Sequence, residues 1–187
     1  TQQAFYDDPN VLTISVHQEM LFPVNLGKLD ERGEDSGEGF NINIPLPAGC
    51  GGGAYLCALE EVVLPALHCF KPDLIIIACG YDACYFDPLS HMLLVANHFR
   101  LMTQRMMKAA DELCGGRVVV NHEGGYSDFY VPLCGLAVIE TLMGLSSGVV
   151  DPYAGTEHVA NQYLRPHQQD AINAASQGSL ELLRRRC

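Results

Sequence analysis

Basic residues are scarce in this chain, and the shortage bears on its partners. Lysine and arginine together number 11, against 22 aspartate and glutamate residues, so the formal net charge is −11 at pH 7. A protein that binds nucleic acid needs a basic face for the phosphates. The composition therefore argues against a nucleic-acid partner. An acidic surface can attract cationic substrates, and it equally serves solubility alone.

Long apolar runs are also missing. No uninterrupted run reaches the roughly 18 to 20 residues that a membrane-spanning helix needs, and no signal peptide is visible, so we predict no membrane partner. The chain starts with Thr1 rather than Met, and we expect its natural N-terminus to be removed or to lie upstream. A length of 187 residues with 48% hydrophobic residues suits one buried core, which predicts a single domain over residues 1–187.

The eight cysteines include no C-x-x-C pair. Several, such as Cys79 and Cys134, lie inside apolar runs. This usage is typical of small core residues in a reducing compartment, and not of a disulfide framework or a zinc knuckle. We therefore predict free thiols and a cytoplasmic protein.

The chain is organised around the apolar run Leu74–Cys79, which Pro72 precedes and Gly80 follows. An unbroken, β-branched run of this length predicts a strand buried on both faces, as in a parallel sheet. Periodicity predicts three further strands and four helices: strands at 11–17, 41–46 and 117–121, and helices at 54–68, 93–113, 132–143 and 167–186. The helix at 93–113 is predicted to end at Gly115-Gly116 and to carry one apolar core stripe at helical spacing: Phe99, Met102, Met106, Ala109, Ala110 and Leu113. Strands that alternate with helices predict an α/β fold with a mostly parallel sheet and helices on both faces.

Polar residues follow two of these strands. Asp82 comes just after the first run, and Glu123–Tyr126 follows the strand at 117–121. Parallel strands would carry both to the same sheet edge, where α/β proteins bind ligands. Asp82 is then a metal ligand, a general base or a helix cap. Tyr126 is either a hydrogen-bond donor to an oxyanion or a packing tyrosine.

Two other stretches carry no decisive pattern. Gly51–Gly53 precedes a helix, as phosphate-binding loops do, but the Lys-Ser/Thr of a P-loop is absent and a plain turn explains the glycines as well. The long loop Glu19–Phe40 has no periodicity, and loops of that length are usually functional. Asp151–Gln169 shows no readable signal.

Several motifs in order resemble a known family. They are GYDA at 80–83, DPL at 87–89, HEGGY at 122–126, LFP at 21–23, the opening segment 1–18, the loop from ERGEDSGEG to the strand at 41–46, and GLAVIETLMG at 135–144. Together they resemble the arginase-like zinc deacetylases: class II histone deacetylases, bacterial histone deacetylase-like amidohydrolases and acetylpolyamine amidohydrolases. The resemblance covers about residues 1–150 and is nearest to the bacterial amidohydrolases. It implies the C-terminal part of the arginase/deacetylase fold.

The resemblance also implies roles for residues. Asp82 would be a zinc ligand, Tyr126 the oxyanion donor, and the substrate an acetylated amine, either a lysine side chain or a polyamine. Substrate-binding residues would be Phe22, Leu89, Gly124 and Gly125, which line the acyl tunnel or its rim. Potassium ions would be held by Ser15 with the Val16 carbonyl, and by the carbonyls of Phe5, Asp8, Val11 and Phe40.

One departure from the family pattern separates two hypotheses. The other zinc ligands, an Asp and a His in D-x-H, and the tandem histidines would precede Thr1, and no histidine here has a spacing that replaces them. Catalytic zinc needs three protein ligands. The chain is then the C-terminal part of a zinc deacetylase, or a non-catalytic scaffold or binding fragment. Missing upstream strands would leave a sheet edge unpaired, which predicts a homo-oligomer.

Overall fold

The computed structural model describes all 187 residues, Thr1 to Cys187. Its strands are β1 Thr13–Gln18, β2 Asn41–Leu46, β3 Ile75–Cys79 and β4 Val118–His122. Its helices are α1 Gly52–Ala58, α2 Leu64–Phe70, α3 Ala96–Cys114, α4 Val131–Met143, α5 Pro166–Ala175 and α6 Glu181–Arg184. Turns of π-helix at Leu59–Val63 and Ser176–Leu180 join α1 to α2 and α5 to α6. The predicted order of strands and helices is confirmed, with shifts of a few residues at their ends.

All strand pairing is parallel, β1 with β2 and β3 with β4. The predicted α/β fold with parallel strands is thus confirmed, although the strands form two separate two-stranded sheets. The chain divides into two compact units. The first comprises Thr1–Pro47, Cys57–Lys71 and Arg165–Cys187, and the second comprises Ala48–Leu56 and Pro72–Leu164. A single domain over residues 1–187 stays a prediction.

The core of the first unit forms around β2. Its side chains Ile42, Ile44 and Leu46 are fully buried on one face. Residues of the C-terminal helical segment, which contacts β2, are fully buried as well: Ile172, Leu180 and Leu183. Asn41 and Asn43 are buried on the opposite face of the strand. The strand buried on both faces is therefore β2.

Hydrogen bonds connect the polar face of β2 to the long loop at 19–40. The side-chain amides of Asn41 and Asn43 donate to Gln2 Oε1 at 3.0 and 2.8 Å. Gln2 Nε2 in turn donates to Glu31 Oε2 at 2.8 Å, and Glu31 also accepts from the backbone N–H of Gly27 at 2.7 Å. Burial raises the pKa of Glu31, but these hydrogen bonds outweigh it and lower that pKa overall. The loop is thus ordered by polar contacts, which leave no periodic signal in the sequence.

In the second unit, β3 is covered on one face only. Ile75 is 5% exposed, whereas Ile76 is 67% exposed and its neighbour on β4, Val119, is 51% exposed. The prediction that this strand is buried on both faces is therefore wrong. An unbroken apolar run shows that both faces of a strand are apolar enough to be buried. Which of those faces is buried depends on elements that are distant in the sequence.

Long helix α3 carries the predicted apolar stripe only in part. Phe99, Ala109 and Ala110 are buried as predicted, while Met102, Met106 and Leu113 are half-buried. The helix ends at Gly115, which adopts a left-handed conformation with φ 61°. A glycine tolerates that conformation without steric cost, so the predicted stop is confirmed.

One helical stretch is long and apolar enough to cross a membrane by length and composition alone. It runs from Gly52 to Phe70, 19 residues with a mean hydropathy of 1.3. Glu60 and Glu61 interrupt it, so the sequence shows no unbroken apolar run. The core helix of a soluble protein passes the same test, and this stretch is weak evidence for a membrane. The absence of a membrane partner stays a prediction.

A disulfide bond within the first unit contradicts the prediction that every cysteine is free. It joins Cys69 of α2 to Cys187, 118 residues apart in sequence, with a Cα–Cα distance of 6.0 Å. The other six cysteines are free thiols. The pairing depends on the contact between α2 and α6, a long-range packing event that cysteine spacing does not encode. The predicted cytoplasmic location rests partly on free thiols and stays a prediction.

Counting thiols tests this bond directly. We expect alkylation of the denatured, unreduced protein to modify six cysteines per chain, and alkylation after reduction to modify eight, as measured by intact mass. Cys187→Ser leaves seven cysteines and removes the bond, so it should give seven modifications under both conditions. Eight modifications of the unreduced wild type would contradict the disulfide.

Candidate functional site

The candidate site lies where β3 and β4 end. Hydrogen bonds continue past both strands, from Glu123 N to Cys79 O at 3.1 Å and from Tyr81 N to Gly124 O at 2.8 Å. These bonds hold the segment 80–82 beside the segment 123–125. The predicted convergence of Asp82 with Glu123–Tyr126 at one sheet edge is confirmed.

Asp82 sits against two glycines. A Cβ added to Gly124 would lie 3.0 Å from Asp82 Cγ, and one added to Gly80 would lie 2.5 Å from Asp82 Oδ1. Side chains at these positions would therefore displace the carboxylate. Burial raises the pKa of Asp82, the charge of Asp87 raises it further, and nearby backbone N–H groups oppose both. A carboxylate whose charged form is disfavoured gains from a nearby cation.

Tyr126 follows Gly125, a position where the backbone conformation and the close packing both require glycine. Gly125 has φ 129°, and a Cβ there would lie 2.9 Å from both Tyr81 Cβ and Val131 Cγ2. The Tyr126 side chain is 57% exposed, and its hydroxyl has no hydrogen-bond partner within the chain. It is free to donate to a ligand. The packing tyrosine of this site is instead Tyr81, 5% exposed, whose ring contacts Phe99 and His122.

Asp87 is a residue of this site that the sequence analysis did not select. Its side chain is 9% exposed, and Oδ2 accepts a hydrogen bond from Tyr126 N at 2.9 Å. Oδ1 accepts from Leu89 N at 2.9 Å and Ser90 N at 3.1 Å. The available signal was the Asp-Pro pair, since an Asp before Pro favours a turn in which the carboxylate accepts from following N–H groups.

The glycines at 51–53 serve close packing. Gly52 N donates to Gln162 Oε1 at 2.9 Å, so a side-chain amide already takes a donor at this helix N-terminus. A Cβ on Gly51 would lie 2.6 Å from Gln162 Cα, and one on Gly53 would lie 2.5 Å from Leu164 N. The turn interpretation is therefore favoured over phosphate binding. Gln162 belongs to the stretch 151–169 that carried no sequence signal, and it is 3% exposed.

Comparison with known proteins identifies the family of this site. Residues 1–142 match the histone deacetylase domain. The chain belongs to the histone deacetylase family. It is 51% identical over 152 residues to the histone deacetylase-like amidohydrolase of Pseudomonas aeruginosa, covering 81% of this chain and 40% of that protein. A probable deacetylase of Archaeoglobus fulgidus is 37% identical, with 80% of this chain and 42% of that protein covered.

Solved structures of histone deacetylases confirm the fold. The histone deacetylase Clr3 superposes with a TM-score of 0.82 at 35% identity, covering 97% of this chain and 29% of that one. The HDA15 HD domain gives a TM-score of 0.80 at 30% identity, with 97% and 47% covered. The predicted arginase/deacetylase fold is thus confirmed. This chain spans less than half the length of the relatives named here.

The residues that the family resemblance selects fall in both units. Asp82, Leu89 and Tyr126, with the two glycines before the tyrosine, lie together in the second unit. Leu89 is 56% exposed. Phe22 lies in the first unit, where it precedes a cis proline and is 89% exposed. Their substrate-binding roles stay predictions.

The predicted potassium ligands all lie in the first unit. Three of the carbonyls accept local backbone hydrogen bonds: Phe5 O from Asp8 N at 3.2 Å, Asp8 O from Val11 N at 3.5 Å, and Phe40 O from Thr13 N at 3.0 Å. Ser15 Oγ lies 2.7 Å from His17 Nδ1, and Val16 pairs with Ile44 in the sheet. Each carbonyl keeps a second lone pair, and potassium binding stays a prediction.

The set of possible zinc ligands is incomplete within this chain. No three His, Cys, Asp or Glu side chains are grouped so that they could hold a metal ion. Asp82 is one carboxylate, and catalytic zinc needs three protein ligands. The residues of this chain therefore do not by themselves fit a catalytic zinc ion.

Proposed function

We propose that this chain supplies part of the active centre of a zinc-dependent hydrolase that removes acetyl groups from amines, either lysine side chains or polyamines. The main support is that the hydrogen bonds between β3 and β4 continue past the strand ends and hold Asp82 beside Gly124. The exposed phenol of Tyr126 follows two residues later. Similarity to an amidohydrolase and to several deacetylases supports this reaction class.

Each residue has a distinct proposed role. Asp82 contributes one zinc ligand, and its raised pKa is consistent with a carboxylate that benefits from a cation. Tyr126 donates its phenolic hydrogen to the oxygen that becomes negative when the acetyl carbonyl is attacked. The acetylated nitrogen is a neutral amide, so the net charge of −11 favours a substrate that carries further cationic groups, such as a polyamine. The remaining zinc ligands come from residues outside this chain.

A second candidate function is a non-catalytic scaffold or binding fragment. The absence of a three-ligand group favours it. Each two-stranded sheet also has unpaired edges, which favour association with a second copy, so a homo-oligomer belongs to this proposal. We further propose a cytoplasmic location without nucleic-acid or membrane partners, on composition alone.

Zinc content tests the role of Asp82. The measurement is zinc per chain by elemental analysis after equilibration with Zn²⁺ and removal of the unbound ion. Where the remaining ligands are supplied, for example by a second copy of the chain, we expect wild type to retain zinc, Asp82→Asn to lose at least about tenfold in affinity because a charged ligand is gone, and the exposed Asp128→Asn to match wild type.

Either of two results would change the assignment. Equal zinc in Asp82→Asn and wild type would remove Asp82 from the ligand set. A wild-type chain that retains no zinc would favour the scaffold, since it would lack the ion on which the proposed hydrolysis depends.

A further inference from the structure

Asp87 joins two loops that the proposed reaction uses. The loop 87–90 carries Leu89, and the segment 124–126 carries Tyr126. One carboxylate accepts backbone hydrogen bonds from both, at 2.9 Å from Tyr126 N and at 2.9 and 3.1 Å from Leu89 N and Ser90 N.

Tyr126 has few other restraints on its position. The two glycines before it have no side chains that could hold the tyrosine in place by packing. Its side chain is 57% exposed and its hydroxyl has no partner in the chain. Its backbone N–H is therefore its one polar group fixed by a side chain, and that side chain is Asp87.

The surroundings of Asp87 suit a fixed acceptor and not a metal ligand. Its side chain is 9% exposed, so the charge is largely removed from water and depends on hydrogen bonds for its stability. Three N–H donors already share its two oxygens. Hydrogen bonds to an ionised acceptor are about twice as strong as neutral ones, which makes this carboxylate an effective anchor for a flexible backbone.

We propose that Asp87 is a positioning residue: it holds the backbone of Tyr126 at a fixed distance from the loop of Leu89, so that the phenol stays aimed at the acyl group. This inference rests on the proposed function for the role of the phenol. The anchoring itself is a property of the chain alone and does not depend on zinc.

Asp87→Asn is a sharp test because it keeps the shape of the side chain. An Asn that retains its oxygen towards Leu89 N and Ser90 N presents an NH₂ group to Tyr126 N, and two donors cannot bond. We expect the Tyr126 amide to exchange with solvent about tenfold faster or more, while the Leu89 and Ser90 amides keep most of their protection. NMR hydrogen exchange resolves the three amides.

Fluorine NMR gives the matching signature for the phenol. In protein labelled with 3-fluorotyrosine, we expect Asp87→Asn to shift or broaden the Tyr126 resonance, assigned with Tyr126→Phe, and to leave the other seven tyrosines in place. The exposed Asp128→Asn, two residues from Tyr126, should leave all eight unchanged. A purely structural role would disturb buried Tyr81 and Tyr130 as well.

Three results would overturn the proposal. These are fast exchange of the Tyr126 amide in wild type, an unchanged Tyr126 amide and resonance in Asp87→Asn, or an equal disturbance of the other tyrosines. The wild-type exchange measurement decides the matter even if the variant fails to fold. Loss of zinc binding would leave these readouts unaffected, so failure of the proposed function is distinguishable from failure of this inference.

Discussion

Replacing Tyr126 with phenylalanine is expected to lower kcat for zinc-dependent hydrolysis of an acetylated lysine amide by about 10²–10³-fold, with KM little changed, in a protein that also contains the remaining zinc ligands. The substitution removes only the hydroxyl, whose proposed work is to donate to the developing oxyanion. Ground-state binding should survive, since an interaction made only in the transition state affects kcat and not KM.

The structure makes this expectation specific to one tyrosine. The Tyr126 hydroxyl has no partner within the chain, so its removal leaves no buried group unsatisfied and should not destabilise the fold. Tyr163→Phe is the matched control, because Tyr163 lies in the same unit, is 64% exposed and carries no proposed role in catalysis. Steady-state kinetics at saturating zinc provides both constants. Undiminished kcat in Tyr126→Phe would contradict the oxyanion role.

The meeting of Asp82 and Tyr126 could be predicted from sequence because it follows from one topological rule. Two strands that run parallel end at the same edge, so the residues after them become neighbours whatever the intervening helix does. In the register of β3 with β4, Ile75 lies opposite Val118 and Cys79 lies opposite His122. The polar segments that follow the two strands therefore begin side by side. That inference needs local patterns and strand direction only.

Contacts between unrelated segments could not be predicted in this way. Gln162 caps the helix N-terminus at Gly52 from 110 residues away, and Cys69 bonds to Cys187 across 118 residues. Neither lies in a repeating pattern, and both depend on how loops pack after the core has formed. Asp87 is intermediate, because its Asp-Pro turn is readable but its bond to Tyr126 N depends on the β3–β4 pairing.

The sequence pattern also did not predict correctly which strand faces are buried. This difference leads to a stability prediction. Ile44 and Ile76 each lie inside a parallel strand opposite a valine, Val16 and Val119 respectively. The sequence around Ile76 is the more continuously apolar of the two. Nevertheless Ile44 is fully buried and Ile76 is 67% exposed, so the two residues should respond differently to the same substitution.

We expect Ile44→Ala to lower the free energy of unfolding by about 2–5 kcal/mol, because it loses buried methyl groups and leaves a cavity in a core that cannot collapse fully. Ile76→Ala should cost less than about 1 kcal/mol, mostly from weaker β propensity, since its side chain already faces water. Urea denaturation of both variants and wild type, at two protein concentrations, measures the difference.

The same pair of variants also tests self-association. If Ile76→Ala costs as much as Ile44→Ala, the exposed face of β3 is covered in solution. If the loss in free energy of unfolding caused by Ile76→Ala grows with protein concentration, a second copy of the chain covers this face, because oligomerisation adds stability by mass action. That result would support the proposed homo-oligomer. A small cost at both concentrations, with a monomer in light scattering, would instead show that the apolar face of β3 and β4 stays open to solvent and that the chain tolerates it.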